Sequence, residues 1–430
     1  MKKYRIYSGI LAAIAALAMT GCGADSIAST NNSTQKLSVQ TKNLSVEITP
    51  QEVGGQAIDP AFVKAQNRFA LELLRQTGAN HAGENVLVSP FSVMQALAMT
   101  ANGANGSTLA EMEQALGGLP LETLNAQLYT WRSGMTSTPE CKFQNANSIW
   151  IRNDEDRIQV KPEFLQTTWD FYGAPSLLAA FDEKTCDDIN GWISANTDGM
   201  IPQILNSIPP EAVMYLVNAV CFDAKWEELY TEEQAHDRDF TAADGSVSTV
   251  QMMYSEENCW LHDDHAVGFC KPYQGGKFKF AALLPEEGMS VGDYLSTLDP
   301  ETLSDLLAGE AYSVNAGLPS FTLDFFDELS GPLTAMGMGS AFDESADFTN
   351  MAETASGALF INRVLHKTHI EVDLNGTKAA AATVVEMADE CCAEEPEEIK
   401  TVILDRPFVY MIVDSETNIP VFIGTYEMPQ

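Results

Sequence analysis

The chain has 430 residues, of which 60 are acidic and 24 basic, giving a net charge of −36. That excess argues against nucleic acid and against an anionic lipid surface, both of which need clustered Lys and Arg. With 45% apolar residues the chain is not disordered throughout. An acidic protein with a sizeable folded core remains.

Lys2, Lys3 and Arg5 precede an apolar run from Ile10 to Met19, followed by Thr20-Gly21-Cys22. This is the form of a secretory signal, too short to span a bilayer comfortably. A Cys directly after Met19-Thr20-Gly21 resembles a bacterial lipobox. Residues 1–21 are therefore expected to be removed, leaving Cys22 to carry a lipid anchor on an exported protein facing the extracellular space or cell envelope. Losing Lys2, Lys3 and Arg5 takes the charge from −36 to −39. Residues 22–58 are rich in Ser, Thr, Asn and Gln and predict a flexible tether. A single folded domain is expected over 59–430. None of the 8 cysteines forms a C-x-x-C pair. With Cys22 lipidated the rest are odd in number, so no disulfide framework is expected.

Phe62, Gln66, Phe69 and Leu73 recur at helical spacing, and Gly78 follows as a stop. Ser89-Pro90 predicts an N-cap and first turn of a helix through Met99. Thr108-Leu109-Ala110-Glu111 has capping-box form, with Gly117 closing that helix. A fourth helix is expected to start at Thr185 and stop near Gly199. Strand patterns follow at Val213–Phe222, Phe278–Leu284, Ser320–Asp324, Thr368–Asp373, Pro407–Val413 and Pro420–Tyr426. Helices first, scattered strands and no βα alternation predict an α+β fold.

His262-Asp263-Asp264-His265 has metal-ligating residue types, but adjacent strand positions face opposite ways, so an exposed acidic turn is expected. Ser89 or Ser92 with His366 admits two readings, a hydrolase pair or a structural hydrogen-bond cluster. The segment Gly376-Thr377-Lys378-Ala379-Ala380-Ala381-Ala382-Thr383 favours a helix on propensity, yet no amphipathic stripe would hold one down. Read as a strand, residues 377, 379, 381, 383 and 385 share one small, uncharged face that fits between neighbouring strands. Seven acidic residues then lie between Glu386 and Glu398, with no basic one.

The flanks of this segment, His366-Lys-Thr-His-Ile-Glu-Val-Asp373 and Gly376-Thr-Lys378, closely resemble the hinge of the serpins. Further matches run in family order: Asn85-Val-Leu-Val-Ser-Pro-Phe-Ser92, Asn145-Ala-Asn-Ser-Ile-Trp150, Leu216-Val-Asn-Ala-Val-Cys-Phe222 and Lys225-Trp-Glu227. They continue with Leu284-Pro-Glu-Glu-Gly288, Leu318-Pro-Ser-Phe321, Asp405-Arg-Pro-Phe408 and Phe422-Ile-Gly-Thr425.

The resemblance covers about residues 60–430. It implies a serpin fold with three β-sheets, about nine helices and an exposed reactive-centre loop, here about 375–404. It implies a protease inhibitor rather than an enzyme, needing no cofactor and no metal. Its partner would be a serine protease, or as a second class a cysteine protease, trapped covalently by a monomeric inhibitor. Family spacing places the reactive bond between Glu390 and Cys391, with Asp389 as the alternative first residue. Ser89, Ser92, Asn218 and His366 match the shutter beneath the opening sheet, and Trp226 matches its upper breach. A non-inhibitory serpin acting as a binding or carrier module is the alternative, which a bulky or Pro-containing hinge would favour; here the hinge is small throughout. Leu374, Asn375 and Lys378 stand where the family usually has acidic residues. Leu374 is expected to lack the usual charged contact at the top of the sheet.

Overall fold

The computed structural model describes residues 41–135, 137–355, 357, 359–377 and 398–429. The signal segment, Cys22, Lys378, Ala379 through Thr383, Asp389, Glu390 and Cys391 lie outside the described residues.

The described residues form nine α-helices, three large sheets of seven, six and four strands, and a two-stranded ribbon. The α+β expectation and the three sheets hold. The first helix, Pro60–Gly78, is capped by Asp59, whose carboxylate accepts from the Ala61 N–H at 2.8 Å. It buries Phe62, Gln66, Phe69 and Leu73. The second, Pro90–Ala101, starts at the Ser89 cap and is buried at every position except Ala96. A helix enclosed all round must lie inside the molecule rather than on it.

The hydrophobic centre is the six-stranded sheet. Its strands Phe408–Asp414 and Ile419–Tyr426 are buried at every position and pair with each other. Near-continuous apolar runs, here interrupted only by Asp414 and Thr425, are what a sheet covered on both faces requires. The seven-stranded sheet lies over the second helix and contains Cys141–Arg152, Met214–Lys225, Leu365–Val372 and Phe321–Glu328.

Four sequence expectations need correction. The capping box at Thr108 is internal, because the third helix runs Gly106–Ala115 with Asn105 as its cap residue. The Thr108 hydroxyl instead accepts from the Asp347 N–H at 3.0 Å. The fourth helix starts earlier, at Glu183, and Thr185 donates its backbone N–H to the Asp182 cap at 3.0 Å.

The expected tether is shorter than 22–58, since Lys42–Asn43 pairs with Ser176–Ala179 at the edge of the seven-stranded sheet. Ser45 is buried with its hydroxyl accepting from the Ser176 N–H at 2.7 Å, and Gln127 bridges Ala57 and Asp59. The Ser45 hydroxyl, read as solvated, is thus spent on a backbone group of the domain, and Thr41 donates to the Asp188 carboxylate at 2.9 Å. Finally, the loop expected over 375–404 is bounded more tightly. Gly376–Thr377 and Lys400–Ile403 are strands in two different sheets.

Candidate functional site

The centre of the seven-stranded sheet is a slot. Its first wall is Met214–Lys225, paired on its outer edge with Cys141–Arg152. Its second wall is Leu365–Val372, paired on its outer edge with Phe321–Glu328. Between them, among the described residues, only Gly376–Thr377 is hydrogen-bonded, Gly376 opposite Lys225 and Thr377 opposite both Ala224 and Val372. Below Thr377 the facing edges of the two walls have no described strand partner. A cavity of about 580 Å³ lies there, lined by both walls, the second helix and Ile189, Ile193 and Ile201. Unpaired parallel edges one strand apart are a template for a strand running the opposite way.

The entrance is built around Trp226, which is fully buried and stacked on Tyr273 with ring centres 4.6 Å apart. Its indole N–H donates to the Asp373 carbonyl at 2.9 Å and its backbone N–H to the Asn375 carbonyl at 3.0 Å. The Tyr230 N–H takes the Leu374 carbonyl, also at 3.0 Å. Asp373 turns its carboxylate onto the N–H groups of Asn375 and Gly376, at 2.7 and 3.1 Å. Leu374 thus makes no charged contact, as expected from its apolar side chain, and backbone bonds close the turn instead. Gly376 is required by proximity: a Cβ there would lie 2.0 Å from the Ala224 carbonyl oxygen. Thr377 is 1% exposed, and its hydroxyl shares a 2.6 Å hydrogen bond with the Tyr273 hydroxyl.

Lys271 and Glu257 form a buried 2.7 Å ion pair under this entrance, with the Lys271 ammonium 4.4 Å from the Tyr230 ring centre. No sequence pattern marked this pair. A Lys and a Glu 14 positions apart carry no local signal, since register alone brings them together.

Ser89, Ser92, Asn218 and His366 do come together, at the lower end of the slot. The Ser92 hydroxyl donates to the Asn218 carbonyl oxygen. The Asn218 amide donates to Asn145 at 2.7 Å and Asn147 at 2.8 Å on the neighbouring strand. His366 on the second wall accepts the Ser89 backbone N–H at its Nε2, at 3.1 Å. The Ser89 hydroxyl points away, donating to the Val421 carbonyl at 2.9 Å. A serine whose hydroxyl does not face the imidazole lacks the nucleophile–base geometry of a hydrolase. The cluster is structural.

Burial pushes the His366 pKa down to about 4, in keeping with a ring nitrogen that accepts. The unfolded chain binds this proton below about pH 6.5, the folded chain only below about 4, so stability falls as pH drops through that window. The loss at pH 4 is expected to be about 3 kcal/mol from this residue. Urea titrations of the parent and His366→Asn at pH 7 and pH 4 check it: the parent loses more stability on acidification by that amount.

Trp226→Ala removes the stack and both the packing and the donor at the entrance, and is expected to cost about 3–5 kcal/mol. Trp226→Phe keeps the stack and recovers most of it in the same urea assay.

The residues His262 to His265 scatter. His262 meets Glu310 at 3.2 Å, His265 lies 3.8 Å from Glu286, and Asp263 accepts from the Tyr294 hydroxyl at 2.8 Å.

Comparison with known proteins agrees with this architecture. Residues 64–429 match the family model described as serpin, serine protease inhibitor. The leukocyte elastase inhibitor of Sus scrofa is 31% identical over 391 residues, covering 85% of this chain and 98% of that protein. The crystal structure of the thermophilic serpin tengpin in its native state superposes with a TM-score of 0.84 at 41% identity, covering 91% of this chain and 100% of that one. Tengpin in its latent state gives 0.77 at 39% identity, with 88% and 100% covered. A sheet split into a one-strand slot, a small-residue segment next in sequence after Thr377 and a family match over residues 64–429 agree: the chain belongs to the serpin family.

Proposed function

We propose that the chain is a suicide-substrate inhibitor of serine proteases, with cysteine proteases as a second target class. The observation that carries this reading is the slot, with Thr377 already seated at its top and a run of small residues next in sequence. The protease nucleophile attacks the carbonyl of Glu390, or of Asp389, and the new amino terminus at Cys391 or Glu390 leaves. Residues 378–385 then follow Thr377 downward between the walls and carry the acylated protease with them. Trapping succeeds when insertion outruns deacylation.

Two further points support the reading. Alternate residues from 377 to 385 are Thr, Ala, Ala, Thr and Val, none of which buries a charge. A relative of similar length bears the name of an elastase inhibitor. The signal-like start and Cys22 extend it to an exported, lipid-anchored monomer acting outside the cytoplasm. The acidic segment 386–398 favours cationic proteases, whose association rates should fall as salt rises.

The test is incubation with a panel of elastase-like, acid-specific and basic-specific serine proteases. Time-dependent, stoichiometric loss of activity is expected for at least one, with release of a peptide starting at Cys391 or Glu390. Cleavage in 378–397 with every protease left active would instead favour a non-inhibitory binding module.

A further inference from the structure

Cys259 and Cys270 sit 11 positions apart, a spacing that signals nothing by itself. The strands Trp260–His262 and Ala266–Pro272 pair with Trp260 opposite Phe269. One step outward on the same ladder sets Cys259 opposite Cys270, and the Cys270 N–H donates to the Cys259 carbonyl at 3.1 Å. Hydrogen-bonded cross-strand partners have Cα atoms about 5.5 Å apart. Disulfides accept about 4.4–6.8 Å.

Both thiols point the same way. Cys259 Sγ reaches the Ala308 carbonyl at 3.8 Å, and Cys270 Sγ reaches the adjacent Leu307 carbonyl at 3.9 Å. The neighbouring Cys270, through its thiol and its N–H, favours a thiolate at Cys259, and Lys279, held on Leu307 at 2.6 Å, adds positive charge. These two influences outweigh burial and bring the Cys259 thiol down to about 7. Its bond to Cys259 and its burial push Cys270 well up. Among the described cysteines Cys259 alone is not fully buried. One accessible, acidic thiol backed by a buried partner is the arrangement of an attacking and a resolving cysteine. A pocket of about 330 Å³ opens onto both; Glu227, Glu228, Glu256 and Glu257 line it against Lys271 and Lys279, which leaves an acidic excess.

We propose that Cys259 and Cys270 are a redox-active dithiol that closes to an intrachain disulfide by exchange with small disulfides, cationic ones first. The Cys259 thiolate attacks one sulfur of the small disulfide, forming a mixed disulfide and expelling one small thiolate. Cys270, giving its proton to that thiolate, then attacks the Cys259 sulfur and expels the second. Two protein thiols are oxidised and one small disulfide is reduced to two thiols. The acidic rim concentrates cationic reagents and repels anionic ones.

The test treats the reduced full chain with cystamine or with oxidised glutathione, then alkylates and maps it peptide by peptide, so that Cys391 and Cys392 are scored separately. The expected product is a Cys259–Cys270 linked peptide, reversed by dithiothreitol, forming roughly tenfold faster with cystamine. Cys270→Ala should retain a cysteamine adduct on Cys259, and Cys259→Ala should leave Cys270 alkylatable only after unfolding. Both thiols still free after cystamine, or a lasting adduct on Cys259 of the parent chain, would overturn the proposal. Equal rates with the two reagents would overturn the role of the acidic rim.

Discussion

Thr377→Arg is expected to convert the chain from a protease trap into a substrate. Thr377 is 1% exposed between the walls, with its hydroxyl on Tyr273 at 2.6 Å. Among the described residues no carboxylate hydrogen-bonds there, and burial holds the Tyr273 hydroxyl protonated by pushing its pKa up. An arginine at this point either buries an uncompensated charge, costing several kcal/mol, or stays outside and holds the hinge out. A cost of about 3 kcal/mol on the insertion step slows it roughly 100-fold, while deacylation is untouched. The covalent product on a denaturing gel should vanish, and cleaved chain with turnover should replace it. Thr377→Ser keeps the hydroxyl and the small volume and should inhibit as the parent does. Inhibition by the arginine variant at the parental stoichiometry would remove the slot from the mechanism.

Cleavage within 378–397 is expected to raise thermal stability by more than about 10 °C, even with no protease attached. Once cut, the segment that follows Thr377 is expected to run down the slot. It would pair with both walls, whose facing edges have no described strand partner below Thr377. It would also fill part of the cavity of about 580 Å³. Backbone pairing and cavity filling both favour the cut form; each kcal/mol is worth about 1–2 °C in a domain of roughly 370 residues, so the rise sums many new backbone bonds. A differential scan of intact and cut protein measures the shift. Gly376→Ala should reduce it, because the added Cβ meets the Ala224 carbonyl oxygen at 2.0 Å.

Much of this was legible where the signal is local. Ser89 caps its helix because a hydroxyl before Pro90 can take an orphan N–H, and the structure places the Ser92 N–H on it at 3.2 Å. Strands such as Phe278–Pro285 declare themselves by an apolar run broken only at Lys279. Cys141–Arg152 did not, although it is a central strand of the largest sheet. Its Gln144, Asn145, Asn147 and Ser148 break the alternation. Asn145 and Asn147 are tolerated because Asn218 on the next strand bonds both. That compensation is invisible to a local window.

The site divides the same way. Residue types at the hinge and shutter could be named from family motifs. What those motifs do not convey is that Thr377 already lies between the walls, bonded to a tyrosine 104 positions away. Nor do they show that the Ser89 hydroxyl turns away from His366, which separates a structural cluster from a hydrolase pair. Register between strands distant in sequence decides both.

The central claim, that a cut hinge inserts while still bonded to its attacker, is tested most directly by intact mass spectrometry of the chain with an inhibited serine protease. The expected species has the mass of the protease plus this chain, less the C-terminal peptide that follows the cut. A mixture of cut chain and free, active protease, with no such adduct at any ratio, would contradict it.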